Sequence, residues 1–208
     1  MYVKTRRMSR AESQARTRRL LLESAADTFA ERGYNTATIE EISENAGFSR
    51  GAFYANFADK SEIFLAIVED QQERDFNELA ERIESTPDSK ILDLMYEWFM
   101  RALVHAPLRR ALNEFKLAAQ DQPSLRKRLA ALDSADVDLS ARMLADYCRR
   151  SQATLQVTPE TFAGMVTALI GGYANRLAVN PKGVNPKEIG LALEALWTAL
   201  SAQPPPPT

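Results

Sequence analysis

Apolar residues recur at helical spacing along almost the whole chain, and this pattern favours an all-α fold over every other class. The first such face consists of Leu22, Ala25, Ala26, Phe29 and Ala30, with acidic residues on the opposite side. Only 8 glycines occur among 208 residues, which is a poor supply for the turns of an all-β protein. We find no convincing strand pattern, so the sequence predicts an all-α chain of about nine helices.

Capping signals divide the N-terminal part of this pattern into short helices. The segments 38–41 and 59–62 have the spacing of capping boxes, which predicts that helices begin there. Gly47 ends the first of these helices after about two turns. Ser49 is placed to cap the next helix, which we predict over Arg50 to Asn56.

Glycine and proline bound the other helices. Gly33 can end a first helix that runs from about Ser13. Polar residues followed by Pro159 and Pro186 predict the starts of the last two helices, because proline suits the first helical turn. Residues 203–208 are mostly proline and predict a disordered tail.

Composition excludes several classes of function. The chain has 1 Cys and 1 His, so neither a disulfide framework nor a cysteine-based metal site can form within it. It has no Glu-x-x-His pair and no glycine-rich phosphate loop, so we expect no cofactor, no metal and no enzymatic activity. The uncharged run from Thr161 to Asn175 is too short for a membrane span, and residues 1–19 are too polar for a secretory signal. We therefore expect a cytoplasmic protein without a membrane partner.

The positive charge of the chain is concentrated at one end. Residues 1–19 contain seven Lys and Arg and only one acidic residue, although the whole chain has a net charge of -2. A basic arm on an acidic body indicates a polyanionic partner, and the alternative interpretation is a solvated, frayed tail.

Two short helices joined at Gly47 have the arrangement of a helix-turn-helix. Gly51 and Ala52 leave the backbone of the second of them bare, so this helix can approach DNA closely. Arg50 can pair with the O6 and N7 atoms of guanine. The possible phosphate donors are Tyr54, Lys60 and the backbone amides at the caps of residues 38 and 59. An ordinary α-hairpin within a helical bundle is the alternative.

A resemblance to a known family rests on five segments of this region. They are Thr38-Ile39-Glu40-Glu41-Ile42, Ala46-Gly47-Phe48-Ser49-Arg50-Gly51, Phe53-Tyr54, Asn56-Phe57 and Lys60-Ser61-Glu62. Over about residues 15–68 the chain closely resembles the DNA-binding domain of TetR-family transcriptional regulators. Asn56 departs from the pattern, since His or Tyr is commoner there.

The resemblance implies a domain organisation and a set of DNA contacts. It implies a helix-turn-helix domain (15–62) and a helical effector-binding and dimerisation domain (63–202). The charge pattern adds a basic flexible arm (1–14) before them, and the tail of residues 203–208 follows. It implies phosphate contacts at Thr38, Tyr54 and Lys60, and base-facing positions at Ser49, Arg50, Gly51 and Ala52. The implied protein is a homodimeric repressor that binds a palindromic double-stranded operator and is released by a small apolar effector.

The C-terminal part supplies weaker signals for dimerisation and for effector binding. Small residues would let a second helix approach, and an apolar stripe follows them; this set is Gly164, Ala168, Gly171, Gly172, Leu193, Leu196 and Trp197. Large apolar residues could line an effector pocket; this set is Trp98, Phe99, Phe115, Met143, Tyr147, Met165 and Tyr173. In both sets the alternative is that the residues complete the core of one subunit.

Two other functions compete with an effector-released repressor. One is a DNA-binding protein that needs no effector, against which only the aromatic content of residues 90–175 argues. The other is an all-α enzyme, which the missing catalytic motifs disfavour.

Overall fold

The computed structural model describes residues 9–104, 108–180 and 182–202. The first eight residues of the predicted arm and the predicted tail lie outside the described residues. Within them the chain forms nine α-helices, a short 3₁₀ helix over Asp88–Lys90, and two strands of two residues each. The predicted all-α fold with an N-terminal helix-turn-helix is confirmed. The helices are α1 (Arg10–Arg32), α2 (Ile39–Asn45), α3 (Arg50–Tyr54), α4 (Lys60–Glu84), α5 (Ile91–Val104), α6 (Arg109–Ala118), α7 (Pro123–Ser151), α8 (Pro159–Val179) and α9 (Pro186–Leu200).

Helix α1 begins three residues earlier than the sequence analysis predicts. Ser9 and Glu12 form a capping box, in which the Glu12 N–H donates to Ser9 Oγ at 3.1 Å and the Ser9 N–H donates to Glu12 Oε2 at 2.7 Å. The hydrogen bonds from the Ser9 backbone and side chain lower the pKa of Glu12. Residues 10–14 of the predicted flexible arm are therefore helical. The Ser-x-x-Glu spacing that starts this helix is visible in the sequence.

The predicted caps of the helix-turn-helix are present. Thr38 forms a capping box with Glu41, and Ser49 Oγ accepts from the N–H of Ala52 at 3.3 Å. At the start of α4, Asp59 Oδ1 accepts from the N–H of Glu62 at 2.8 Å. These short-range bonds explain why the starts of α2, α3 and α4 could be read from sequence.

The described residues divide into two compact units. The first unit contains the chain up to Arg74 together with residues 108–126, and the second contains the remainder. Helix α6 packs against α1 in the first unit. The sequence analysis instead predicts that α6 belongs to the 63–202 domain. The difference arises because helical periodicity shows that a helix has an apolar face but does not show which helix covers that face.

Four aromatic rings form the core of the first unit around α6. Phe29, Phe64 and Phe115 are fully buried, and Tyr34 is buried beside them. The ring of Phe115 lies 4.8 Å from that of Tyr34 and 4.8 Å from that of Phe64, measured between centroids. The Tyr34–Phe115 pair is edge-to-face and the Phe64–Phe115 pair is tilted, and ring contacts of this kind add to the stabilisation that burial provides.

Among the described residues, the core of the second unit includes three apolar clusters. The first is built on Leu79, Leu94 and Trp98, the second on Leu144, Phe162 and Val166, and the third on Ala174, Val184 and Ile189. Residues of α8 and α9 occur together in two of these clusters, so the two helices pack against each other.

A minimal strand pair closes the end of the second unit. Strand β1 (Thr154–Leu155) pairs antiparallel with β2 (Ser201–Ala202), with Thr154 opposite Ala202. Next to it, the Gln156 N–H donates to the Leu200 carbonyl at 2.8 Å. The sequence analysis finds no strand, since two residues are too few to show the alternation that marks one.

Gly33 and Gly47 provide a test of why the turns around α2 need glycine. Both have positive φ, of 80° and 77°. A Cβ at Gly33 would also lie 2.7 Å from both carboxylate oxygens of Glu114, whereas a Cβ at Gly47 meets nothing within 4 Å. We expect Gly47→Ala to reduce the free energy of unfolding by about 1 kcal/mol, from backbone strain alone. Gly33→Ala should cost more, about 2–3 kcal/mol, because the new Cβ displaces the Glu114 carboxylate and breaks its hydrogen bond with the Asn35 N–H, in addition to the strain.

Chemical denaturation of the two variants measures this difference directly. Equal losses of stability in both would contradict the claim that the α1–α2 turn lies tightly against Glu114.

Candidate nucleic-acid interface

Helix α3 buries one residue and exposes the rest of its first turn. Phe53 is fully buried, while Arg50 and Gly51 are exposed and the side chain of Ala52 is half-buried. Tyr54 remains 48% exposed although it is a large aromatic residue. Of the predicted base-facing residues, Ser49, Arg50 and Gly51 are thus exposed, and Ala52 is half-buried.

Gly51 keeps this surface low. The nearest atom to a Cβ built there is Ser49 Oγ at 3.6 Å, so a side chain would fit and would project outward. Because Gly51 has no side chain, the backbone of α3 can come close to the base edges in a DNA groove.

Arg50 is held by two partners rather than free in solvent. Its Nη1 lies 2.5 Å from Glu40 Oε1 on α2, and its Nη2 donates to Tyr54 Oη at 3.2 Å. The guanidinium carbon is 5.7 Å from the centre of the Tyr54 ring. The hydrogen bond from Arg50 to Tyr54 and the charge of Glu40 raise the pKa of Arg50. The structure thus brings Arg50 together with Tyr54 and Glu40, and the sequence analysis predicts neither contact.

Thr38 lies at the exposed N-terminus of α2, where its hydroxyl serves the capping box. Its Oγ1 accepts from the Glu41 N–H at 3.2 Å, and its own N–H donates to Glu41 Oε2 at 3.2 Å. The side chain is fixed at the surface by these bonds.

Lys60 turns inward to the α1–α2 turn. Its Nζ donates to the carbonyls of Tyr34, Asn35 and Ala37 at 2.8, 3.3 and 2.9 Å, and it lies 4.7 Å from the centre of the Tyr34 ring. Burial lowers the pKa of Lys60. An ammonium has three N–H groups, so these carbonyls engage the donors that a phosphate would need. A direct phosphate contact at Lys60 stays a prediction.

Glu114 of α6 contacts the same turn through a backbone amide. Its Oε2 accepts from the Asn35 N–H at 2.9 Å, and its Oε1 pairs with Arg110 Nε at 2.9 Å. The hydrogen bond from the Asn35 N–H makes the largest contribution to lowering the pKa of Glu114. No local motif signals this contact, because 79 positions separate the two residues.

Arg18 is a basic residue of the N-terminal segment that has an internal partner. Its Nη1 donates to the Asn56 carbonyl at 2.9 Å, and its guanidinium carbon lies 4.1 Å from the centre of the Phe57 ring. This residue fastens α1 to the end of α3. The charged side chain of Arg18 therefore stabilises the packing of α1 against the segment that follows α3.

The residues predicted for dimerisation separate into two groups in the structure. The helix α8 carries open positions: Ala168, Gly171 and Gly172 are exposed, and no atom lies within 4 Å of a Cβ built at Gly164, Gly171 or Gly172. The α9 residues Leu193, Leu196 and Trp197 instead pack within the second unit. Trp197 lies 5.9 Å from the ring of Tyr147 and 5.8 Å from that of Phe162.

The residues predicted for effector binding do not form one group. Trp98 and Met143 share a cluster, Phe99 belongs to a second and Tyr173 to a third. Tyr147 is buried beside Trp197, and Met165 is exposed. Phe115 lies in the core of the first unit. An open depression of about 390 Å³ at the end of α8 contains none of them; it is lined by Asn175, Arg176, Val179, Asn180, Gly183 and Val184.

The described residues also bear on metals and membranes. Among residues 9–104, 108–180 and 182–202, no three His, Cys, Asp or Glu side chains are grouped so that they could hold a metal ion. Within the same part of the chain, no helix combines the length and apolar character that crossing a bilayer requires.

The helix-turn-helix segment matches a known family, and one relative matches most of the chain. The family model for bacterial regulatory proteins of the TetR family matches residues 21–67. The transcriptional repressor AcnR of Corynebacterium diphtheriae is 32% identical over 161 residues, which are 77% of this chain and 80% of that protein. The chain belongs to the TetR family.

Solved structures of related regulators agree with this assignment. NalD, the secondary repressor of the MexAB-OprM multidrug efflux pump of Pseudomonas aeruginosa, superposes with a TM-score of 0.63 at 27% identity; the match covers 91% of this chain and 98% of NalD. SmeT in its complex with triclosan superposes with a TM-score of 0.67 at 25% identity, covering 93% and 98% of the two chains.

Family membership confirms several expectations at once. This TetR-family protein is a DNA-binding regulator of transcription, similar to repressors, and is not an enzyme. The helix-turn-helix is therefore its DNA-binding element. The individual contact residues named above remain predictions.

Lys60→Ala tests whether Lys60 acts through the turn or on the DNA. Removing the ammonium leaves three carbonyls without their donor, so we expect a loss of about 1–3 kcal/mol in unfolding free energy. DNA binding should weaken, while the dependence of affinity on salt should stay unchanged. Lys116→Ala, at an exposed lysine of α6, removes the same charge as a control.

Thermal unfolding and DNA titrations at several salt concentrations measure both effects. A salt slope reduced by about one for each Lys60 on the DNA, with unchanged stability, would instead identify Lys60 as a direct phosphate contact.

Proposed function

We propose that this TetR-family regulator is a homodimeric repressor that binds a palindromic operator and dissociates from it when a small apolar effector binds. The observation that carries the DNA-binding part is the exposed surface of α3, where Arg50, Gly51 and Tyr54 face outward and Arg50 contacts Glu40 in the first turn of α2. A helix placed in this way can enter the major groove with its N-terminal residues nearest the bases. Because its partner is DNA, we place the protein in the cytoplasm.

Repression is the mode of action that the relatives favour. AcnR and NalD are both named as repressors. A repressor needs only to occupy DNA, which the helix-turn-helix can accomplish without a further activating surface.

The dimer proposal rests on an uncovered face formed by α8 and α9. Leu191 of α9 is 64% exposed, and Met165 and Val179 of α8 are exposed large apolar residues as well. The open positions at Ala168 and Gly172 would allow a second helix to approach closely. An isologous contact of two such helices from each subunit gives a four-helix bundle. These exposed residues support the dimer proposal more than Trp197 does, because the Trp197 ring packs against Phe162 within the second unit.

The effector proposal rests on the apolar clusters of the second unit. Trp98 packs with Leu79, Leu94 and Met143, residues that offer an apolar wall and only one polar hydrogen-bonding group, the indole N–H. SmeT has been solved with triclosan, a small molecule. Helix α4 contributes residues to both units, and we propose that it carries the response from the effector to the DNA-binding helices.

Selection of DNA from a randomised duplex pool tests the proposed function. A palindromic consensus should emerge with half-sites about one helical turn, roughly 34–36 Å, apart. If about 6–10 phosphates are neutralised, affinity for the selected duplex should fall roughly 10³–10⁵-fold between 50 and 200 mM salt. Addition of triclosan as an apolar probe then reports on effector release.

Recovery of no consensus, or an affinity that salt hardly changes, would overturn the proposal of a groove-binding repressor.

Leu191→Glu tests the proposed dimer face. A charge placed at the centre of an apolar helix interface lacks a partner, which costs several kcal/mol, so we expect a folded monomer at micromolar concentration. Leu117→Glu is the matched control, because Leu117 is 66% exposed but lies on α6. Sedimentation velocity measures the mass of each protein. If the Leu191 variant stays dimeric, the interface lies elsewhere.

A further inference from the structure

We infer that Glu40 is a specificity-determining residue of the DNA-binding surface, which positions Arg50 for a base edge and disfavours its use on a phosphate. The inference rests on the proposed function, since it refines how α3 recognises DNA. The observation behind it is a three-residue arrangement across two helices: Glu40 of α2 pairs with Arg50 of α3, which also contacts Tyr54.

The arrangement fixes a side chain that would otherwise adopt many conformations. An exposed arginine has several rotatable bonds and can pair with any phosphate within reach. Here one terminal nitrogen of Arg50 lies 2.5 Å from Glu40 and the other 3.2 Å from the Tyr54 hydroxyl. Contacts at both nitrogens define the plane of the guanidinium as well as its position.

The contacts leave donors available for reading a base. A guanidinium has five N–H groups, and the two contacts need only one from each terminal nitrogen. A guanine presents two acceptors in the major groove, O6 and N7. Arg50 can therefore bind a guanine edge while it remains paired with Glu40.

Pairing with a phosphate has a different consequence. An arginine that swings toward the DNA backbone leaves the Glu40 carboxylate without its partner, close to the negative phosphates. Like charges brought together in this way disfavour the complex. The pair is 56% exposed on the arginine side and 48% on the glutamate side, so water now screens it. DNA displaces that water, which strengthens both the attraction in the base-bound form and the repulsion in the phosphate-bound form.

The carboxylate has a matched control on the same helix. Glu44 is exposed near the end of α2 and pairs with no cation among the described residues. Glu44→Gln removes one negative charge from the same surface and leaves Arg50 untouched. A general effect of charge on DNA affinity should appear in both variants, whereas an effect on specificity should appear only in Glu40→Gln.

The experiment compares two DNA duplexes for each protein. One is the duplex selected from the randomised pool by the unmodified protein, and the other is a scrambled duplex of the same composition. The ratio of the two affinities is the specificity, and it does not depend on the fraction of protein that is folded. We expect Glu40→Gln to lower this ratio about tenfold, within the range for losing one bidentate base contact, and to raise affinity for the scrambled duplex a few-fold. Glu44→Gln should leave the ratio unchanged.

Two further measurements separate positioning from general stabilisation of α2. With single-base variants of the selected duplex, the loss of discrimination should be confined to one base pair in each half-site. In an Arg50→Ala background, Glu40→Gln should no longer change the ratio, because its action passes through Arg50.

The outcomes distinguish the inference from the proposed function. If the unmodified protein selects no sequence, the proposed function fails. If it selects one and Glu40→Gln keeps a ratio within twofold of the original, the proposed function stands and the inference is overturned. A change of ratio that persists in the Arg50→Ala background also overturns it.

Discussion

The turn between α1 and α2 is the element on which the DNA-binding surface depends. Lys60 at the start of α4 donates to three carbonyls of this turn, and Glu114 of α6 accepts from one of its amides. Gly33 permits the close approach of Glu114 because it has no Cβ and adopts positive φ. The turn leads directly into Thr38, so the start of α2 is positioned by groups that are distant in sequence. A short helix has little stability of its own, and such tertiary contacts have to supply the rest.

The helix-turn-helix could be predicted to within a few residues because its determinants are local. Caps at Thr38 and Ser49 act over three residues, and Gly47 is needed at the one position between α2 and α3 where φ is 77°. The start of α1 follows the same rule, because the capping box of Ser9 and Glu12 is also a short-range sequence signal. Signals of this kind survive in a single sequence because both partners lie in the same short segment.

The partners of the helices could not be predicted in the same way. Phe115 has the spacing of an apolar helix face, and this spacing is equally compatible with an effector pocket and with the core around Phe64 where it lies. The aromatic residues of the second unit divide among three clusters for the same reason, since periodicity contains no information on which faces meet. Trp197 belongs to an apolar stripe on α9, yet its ring is covered within the unit while Leu191 is left open. Lys60, too, looks like a surface cation in sequence, and only the fold shows the three carbonyls around its ammonium.

The electrostatics of α3 follow from this division between local and distant determinants. A lone arginine at the start of a recognition helix attracts DNA of any sequence, because phosphates outnumber any particular base edge. Discrimination between DNA sequences requires a group that makes the arginine–phosphate contact less favourable without blocking the contact with a base. A carboxylate at hydrogen-bonding distance from the guanidinium is such a group. Glu40 can take this role because α2 lies beside α3. The turn before α2 helps to fix that position, and Lys60 and Glu114 both form hydrogen bonds to this turn. In the proposed mode of recognition, sequence preference at α3 depends on the position of α6, since a movement of α6 that separates Glu114 from Asn35 would shift α2 and, through Glu40, the side chain of Arg50.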